Sequence, residues 1–222
     1  MRIHFVVEGQ AEETYVRDTL AMHLGQFGHI VDARCVMTSR KRAHFFRGGL
    51  VSYQKAKMDL QFWMREDAAQ DCVFTTMFDL YALPNDFPGY DKCKMISDIY
   101  QRAQAIEGAF GADISDPRFI PYIQLHEFEA ILFSDIRKLD WAFIDHDAQI
   151  ENLEKISAEF DSPELIDEGP TTAPSKRIIA EIPEYEGRKV AAGAMVAGKI
   201  PIALVRDKCV HFHQWLSRLE LS

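Results

Sequence analysis

Ile3-His4-Phe5-Val6-Val7-Glu8-Gly9-Gln10-Ala11-Glu12-Glu13 is the stretch on which the fold turns. Ile3, Phe5, Val6 and Val7 are strand formers, Gly9 lets the backbone bend without a Cβ, and a helix starts at the acids beyond it. Glu8 then stands at the carboxyl end of a first parallel strand, the edge of an open α/β sheet where ligands bind. A bare carboxylate there loses solvation unless a positive group pairs with it, and a hard divalent cation such as Mg²⁺ or Mn²⁺ suits an oxygen ligand. Glu12 and Glu13 also have an ordinary explanation, as first-turn acids set against the helix dipole.

Working outward, apolar residues at Tyr15, Val16, Leu20, Met22 and Leu24 predict a helix over 12–27 that stops near Gly25 and Gly28. A strand over 30–37, a helix over about 50–66 and a strand over 72–78 follow, the last rich in β-formers and bounded by Asp71 and Asp79. A proline-broken loop leads to a helix over 92–109, then a short strand over 119–124 interrupted by Pro121, which suits a sheet edge. Residues 125–133 read as a helix. Beyond them lie a helical segment over 147–160, a helix opened by Thr171–Arg177 and a last helix over about 202–219. Alternating strands and helices predict an α/β fold with a mainly parallel four-stranded sheet flanked by helices. The expected division is an α/β core over 1–135 and a helical C-terminal extension over 136–222, packed together as one compact unit.

The 222 residues, 47% of them hydrophobic, suffice for such a core. No apolar run approaches the roughly 20 residues that span a bilayer, and the chain begins with strand formers rather than a leader, so a cytoplasmic location is expected. Cys35, Cys72, Cys93 and Cys209 are scattered without a C-x-x-C pair, which gives a zinc site or disulfide framework no support. The net charge of −9 opposes nucleic-acid binding on average. The average hides an acid-free stretch between Ala33 and Lys57 that carries Arg34, Arg40, Lys41, Arg42, Arg47, Lys55 and Lys57. Within it, residues 39–49 read as a loop of cations, aromatics and glycines able to grip a phosphate backbone and stack on bases, or as a plain basic surface loop.

Carboxylates recur at strand ends: Glu8 after the first, Asp79 after the third, Glu127 and Glu129 after the fourth. A parallel sheet brings these ends to one edge, where a few carboxylates can hold one or two divalent ions about 4 Å apart. Asp79 has a second reading as a turn cap. His126, three residues before Glu129 on the expected helix, faces the same way and is either a ligand or a hydrogen-bonded structural histidine. Glu127 would point about 200° from Glu129 on that helix, so one of the two, not both, would reach a shared ion. Ser175, Lys176 and Arg177 at a helix start form a candidate phosphate clamp, against a solvated helix start. Arg206, His211 and His213 are polar groups beside an apolar stripe on the last helix.

The strand-end Glu8-Gly9-x-x-Glu12 with Asp79 after an apolar strand resembles the Toprim fold of topoisomerases, primases and the OLD (overcoming lysogenization defect) nucleases. Val7-Glu8-Gly9-Gln10-x-Glu12, Met77-Phe78-Asp79-Leu80-Tyr81, Leu83-Pro84, Phe87-Pro88-Gly89, Gln124–Ala130 and Ala173–Arg177 together are more similar to the bacterial domain-of-unknown-function family 4276. The resemblance implies a stand-alone Toprim-like protein encoded beside an ATPase with an ABC or SMC type head, in defence against phage, with Glu8, Glu12 and Asp79 as metal ligands. Tyr81 stands where Toprim nucleases carry the second Asp of Asp-x-Asp, so Asp86, Glu127 or Glu129 would supply the missing oxygen of a second ion.

The leading expectation is a Mg²⁺ or Mn²⁺ dependent endonuclease acting on DNA or RNA. Glu8 and Asp79 hold the ion, Glu12 assists, Glu127 or Glu129 completes the site and Lys176 stabilises phosphate charge. A non-catalytic regulatory or toxin subunit docking on the ATPase is the alternative, and a nucleotide phosphohydrolase a third. The sequence leaves the oligomeric state open, a homo-oligomer included.

Overall fold

The computed structural model describes residues 1–41, 44–47, 50, 52–166, 169 and 171–222, with the backbone alone for Met37–Lys41 and His44–Arg47. The chain opens with β1 (Arg2–Val7), α1 (Gln10–Tyr15), a π-helical segment Val16–Leu20 and α2 (Ala21–Gly25). Then come β2 (Ile30–Cys35), β3 (Met37–Lys41), β4 (His44–Arg47), α3 (Tyr53–Glu66) and β5 (Cys72–Asp79). After a 3₁₀ turn at Leu80–Ala82 follow α4 (Tyr90–Cys93), α5 (Ile99–Ile114), β6 (Phe119–Ile120) and β7 (Ile123–Gln124). Two 3₁₀ segments, Phe128–Ser134 and Ile136–Trp141, lead to α6 (Asp147–Ser157), a 3₁₀ turn Pro163–Leu165, α7 (Pro174–Glu181), α8 (Tyr185–Ala197), α9 (Ile202–Lys208) and α10 (Val210–Glu220).

The main sheet runs β2-β1-β5-β6, with β7 also on β5, and every pairing in it is parallel. Alternation along the strands feeds two cores. Ile3, Phe5 and Val7 of β1 and Val73 and Met77 of β5 point toward α1, α2 and the C-terminal helices. Val6 of β1 and Cys72, Phe74 and Phe78 of β5 point toward α3 and α5. The C-terminal helices thus complete the first core: Phe212, Trp215 and Leu216 pack in one cluster with Phe5, Val16 and Leu20.

Pro121 and Tyr122 interrupt the expected fourth strand, because proline cannot donate to the ladder. Threonine hydroxyls of β5 repair the gap. Thr75 Oγ1 donates to the Ile120 carbonyl at 2.6 Å, and Thr76 Oγ1 donates to the Tyr122 carbonyl at 2.9 Å while accepting its N–H at 3.1 Å.

Three expectations are corrected. In the basic stretch, expected as a loop, Met37–Lys41 and His44–Arg47 pair as antiparallel strands β3 and β4, since Thr38, Phe45 and Phe46 favour extended backbone. The last helix is two, broken at Cys209. Residues 125–127 are not helical: His126 takes a left-handed φ of 60° and Glu127 is extended, and a 3₁₀ segment begins at Phe128. No helix among the described residues is long and apolar enough to cross a membrane.

Candidate metal centre

Strand register explains how acids far apart in sequence meet. Val7 pairs with Met77, which sets Glu8 beside the end of β5, and Asp79 pairs with Gln124, which sets Glu127 just beyond. The left-handed His126 turns the chain at that point, and its carbonyl accepts the Tyr81 N–H at 2.9 Å. That turn removes the helical angle expected between Glu127 and Glu129. Lys189 Nζ of α8 stands 3.4 Å from Glu127 Oε2 and 3.3 Å from Glu129 Oε2, so the two acids share one pocket.

Glu8, Glu12, Glu127 and Glu129 are buried, and Asp79 is half-buried with its Oδ1 closed to solvent. Glu8 Oε1 accepts the Leu50 N–H at 3.3 Å and Oε2 the Asp79 N–H at 3.2 Å. Glu127 Oε1 accepts the Ser175 N–H at 2.6 Å from the first turn of α7, and Glu129 Oε1 accepts the Tyr185 hydroxyl at 3.1 Å. Two oxygens are left over. Glu12 Oε2 and Asp79 Oδ1 are buried with no hydrogen-bond partner among the described residues. Gly9 makes room for this crowding, because a Cβ on it would lie 3.0 Å from Glu12 Oε2.

Burial governs the protonation of these acids. It pushes Glu12 up to about 7, with Glu8 and Glu129 adding repulsion, and it pushes Glu129 up to about 7 against the pull of Lys189. Asp79 is raised well above the usual range by burial and then by Glu8, Glu12, Glu129 and Glu127. Glu8 is raised by burial too, opposed by its N–H donors. Burial alone would lower the Lys189 ammonium, but Glu129, Glu127 and Asp79 hold it above the usual lysine range.

The other sequence candidates lie as follows. Lys176 is exposed on the first turn of α7, next to the buried Ser175 whose N–H holds Glu127. Arg177 donates to the Thr172 carbonyl at 2.7 Å and lies over the Phe160 ring. Arg206 pairs with Glu220 and donates to His213 Nδ1 at 3.1 Å. Asp86 accepts the Tyr53 N–H at 3.0 Å and the Ser52 hydroxyl at 3.1 Å, which hold it below its usual range and commit it to the start of α3. Arg40 and Lys41 are in β3 and Arg47 in β4, where the backbone alone is described; Arg42 lies outside the described residues.

Lys189 and Tyr185 were missed by sequence reasoning. They are four residues apart on α8 and continue the line of buried Gly193 and Ala197, so a lysine set into an apolar helical stripe was the available signal.

Among the described residues, three potential ligand atoms come within 4.8 Å of one another at His4, Asp67 and Cys72, a group that could hold a metal ion. The scattered cysteines concealed it, because it joins two strands and a loop. Two guanidiniums already use it: Arg2 Nε lies 2.7 Å from Asp67 Oδ2, and Arg118 Nη1 donates to Cys72 Sγ at 3.6 Å. An ion there would have to displace hydrogen bonds that are formed. At the carboxylate pocket no three potential ligand atoms of the described residues come that close, and Glu12 Oε2 and Asp79 Oδ1 have no hydrogen-bond partner among those residues.

A protein-family model described as a domain of unknown function (DUF4276) matches residues 7–220. No curated protein and no solved structure matches the chain.

Proposed function

Since this chain belongs to the DUF4276 family, whose model spans nearly all of it, we propose that it is a Mg²⁺ or Mn²⁺ dependent phosphodiesterase of Toprim type that cuts DNA or RNA. One observation carries the reading: Glu12 Oε2 and Asp79 Oδ1 are buried inside a group of five acids with no hydrogen-bond partner among the described residues. Leaving buried carboxylate oxygens without a partner costs several kcal/mol as a rule, and a divalent cation removes that cost by taking them as ligands.

Glu8, Glu12 and Asp79 would hold the ion, and Glu127 with Glu129 closes the pocket beside them. Such an ion, when bound, supplies a more acidic water and offsets charge on a phosphate oxygen. The protein's own share is positioning. Glu8 is fixed by two backbone donors, and Glu127 is tied to the start of α7. Lys176 beside that tie, Arg177 and the cations Arg40, Lys41, Arg42 and Arg47 are proposed to follow the phosphate backbone, which is how a chain of net charge −9 would bind a polyanion. The proposal extends, on motif resemblance, to a cytoplasmic role in defence against phage with a partner ATPase of ABC or SMC type.

The test is incubation of the purified chain with plasmid and with total RNA, in Mn²⁺ or in EDTA, beside Glu12→Gln and Asp79→Asn. These variants are preferable to Glu8→Ala, because Glu8 also holds two backbone N–H groups. Cleavage that needs Mn²⁺ and is lost in both folded variants is expected. Absence of metal-dependent cleavage, with and without the partner ATPase, overturns the nuclease reading in favour of a docking subunit.

A further inference from the structure

The carboxylate pocket has two unlike halves. In the half made by Glu127 and Glu129 all four oxygens are engaged. Ser175 N–H holds one at 2.6 Å, the Tyr185 hydroxyl holds another at 3.1 Å, and Lys189 Nζ reaches the remaining two at 3.4 and 3.3 Å. In the half made by Glu8, Glu12 and Asp79, two oxygens have no hydrogen-bond partner among the described residues. The lysine side chain is 42% exposed while those of Glu127 and Glu129 are 7% and 2% exposed, so a stem based at the surface of α8 carries its charge inward.

We infer that Lys189 is a built-in cation occupying the place a second divalent ion would take, so that the chain binds one ion, at Glu8, Glu12 and Asp79. The inference rests on the metal reading above and sharpens it. One ammonium at salt-bridge distance offsets one of the two carboxylate charges and sits between both side chains, and a dication placed among them would meet a like charge a few ångströms away in a medium of low dielectric. Lys189 stands at salt-bridge distance from Glu127 and Glu129 and acts on Asp79 only by longer-range attraction, so Glu12 and Asp79 have no ion pair among the described residues. The lysine is a positioning residue: it fixes the count and location of ions by charge.

Counting bound Mn²⁺ decides the matter, for example from the loss of the free-ion electron paramagnetic resonance signal when the full chain is titrated at mildly alkaline pH. One ion per wild-type chain is expected, and Glu12→Gln loses it. Lys189→Met takes up a second, because Glu127 and Glu129 then lack a counter-ion, whereas Lys189→Arg and Lys176→Met still bind one. Two ions on the wild type, or one on a folded Lys189→Met, overturns the inference and leaves the metal reading standing. No ion on the wild type sinks both. The wild-type count remains decisive even where Lys189→Met does not fold.

Discussion

The backbone N–H of Asp79 donates to Glu8 Oε2 at 3.2 Å, tying the end of β5 to the end of β1. The other oxygen of Glu8 takes the Leu50 N–H at 3.3 Å. Glu8 is therefore a structural acceptor through both oxygens as well as an acid of the pocket, whereas Glu12 has one oxygen, Oε2, without a hydrogen-bond partner among the described residues. Glu8→Ala leaves two buried donors unsatisfied, at about 1–3 kcal/mol each. Above about pH 7, where the buried Glu12 is ionised, Glu12→Gln removes a buried charge, and the ion-free protein should gain stability or keep it. Urea unfolding in EDTA measures both, and a Glu12→Gln protein less stable than Glu8→Ala would contradict this division of labour.

Stability of the ion-free protein should fall as pH rises from about 4.5 to about 7. Burial pushes Glu12 and Glu129 from 4.5 up to about 7, so between those values the folded chain holds protons that the unfolded chain has released. The stabilisation is complete below the unfolded value and is lost as pH climbs through the folded one, a difference on the order of 3 kcal/mol for such a shift. Mn²⁺ requires the ionised form, so its stabilising effect should grow from about pH 5 to about pH 8. Melting temperatures across that range, with Mn²⁺ and with EDTA, check both slopes. A flat EDTA profile would mean that these acids are solvated.

What the sequence made legible follows from what is local. The run Ile3–Val7 with Gly9, and the apolar run over 72–78, announce two neighbouring parallel strands, and with them the meeting of Glu8 and Asp79. The pairing of Glu127 with Glu129 was not legible, because it depends on a histidine at φ 60°, a conformation that residue type rarely announces. Lys189 was hidden for a different reason. Its partners lie 62 and 60 residues away, and only the packing of α8 against α1 and the Phe128–Ser134 segment brings them together. The His4, Asp67 and Cys72 group was equally a product of register rather than of spacing.

Gly193 exists for the Tyr185 hydroxyl. A Cβ at that position would lie 2.9 Å from the phenolic oxygen, which is buried and donates to Glu129. Gly193→Ala should cost about 1–3 kcal/mol by overpacking. Tyr185→Phe removes the clashing atom, so the double variant should recover part of the loss, giving a coupling that simple addition does not predict. Denaturant midpoints of the two single variants and the double variant complete the cycle. Strict additivity would place the strain elsewhere.

The indole N–H of Trp215 donates to Thr75 Oγ1 at 2.9 Å, and its ring stacks on Tyr122 with centroids 4.0 Å apart. These contacts fasten α10 to the middle of β5 and to the gap between β6 and β7. Trp215→Phe keeps a ring but loses the donor, at about 1 kcal/mol for the hydrogen bond and up to about 1.5 more for the altered stack. Thr75→Val, once the indole is gone, adds only the loss of its bond to the Ile120 carbonyl, about 1 kcal/mol, since the bond to the indole is already removed. The pocket acids lie at the far ends of the strands, so Mn²⁺ binding by Trp215→Phe should match that of the wild type while its melting temperature falls. A loss of Mn²⁺ binding in a folded Trp215→Phe protein would show that α10 does more than brace the sheet.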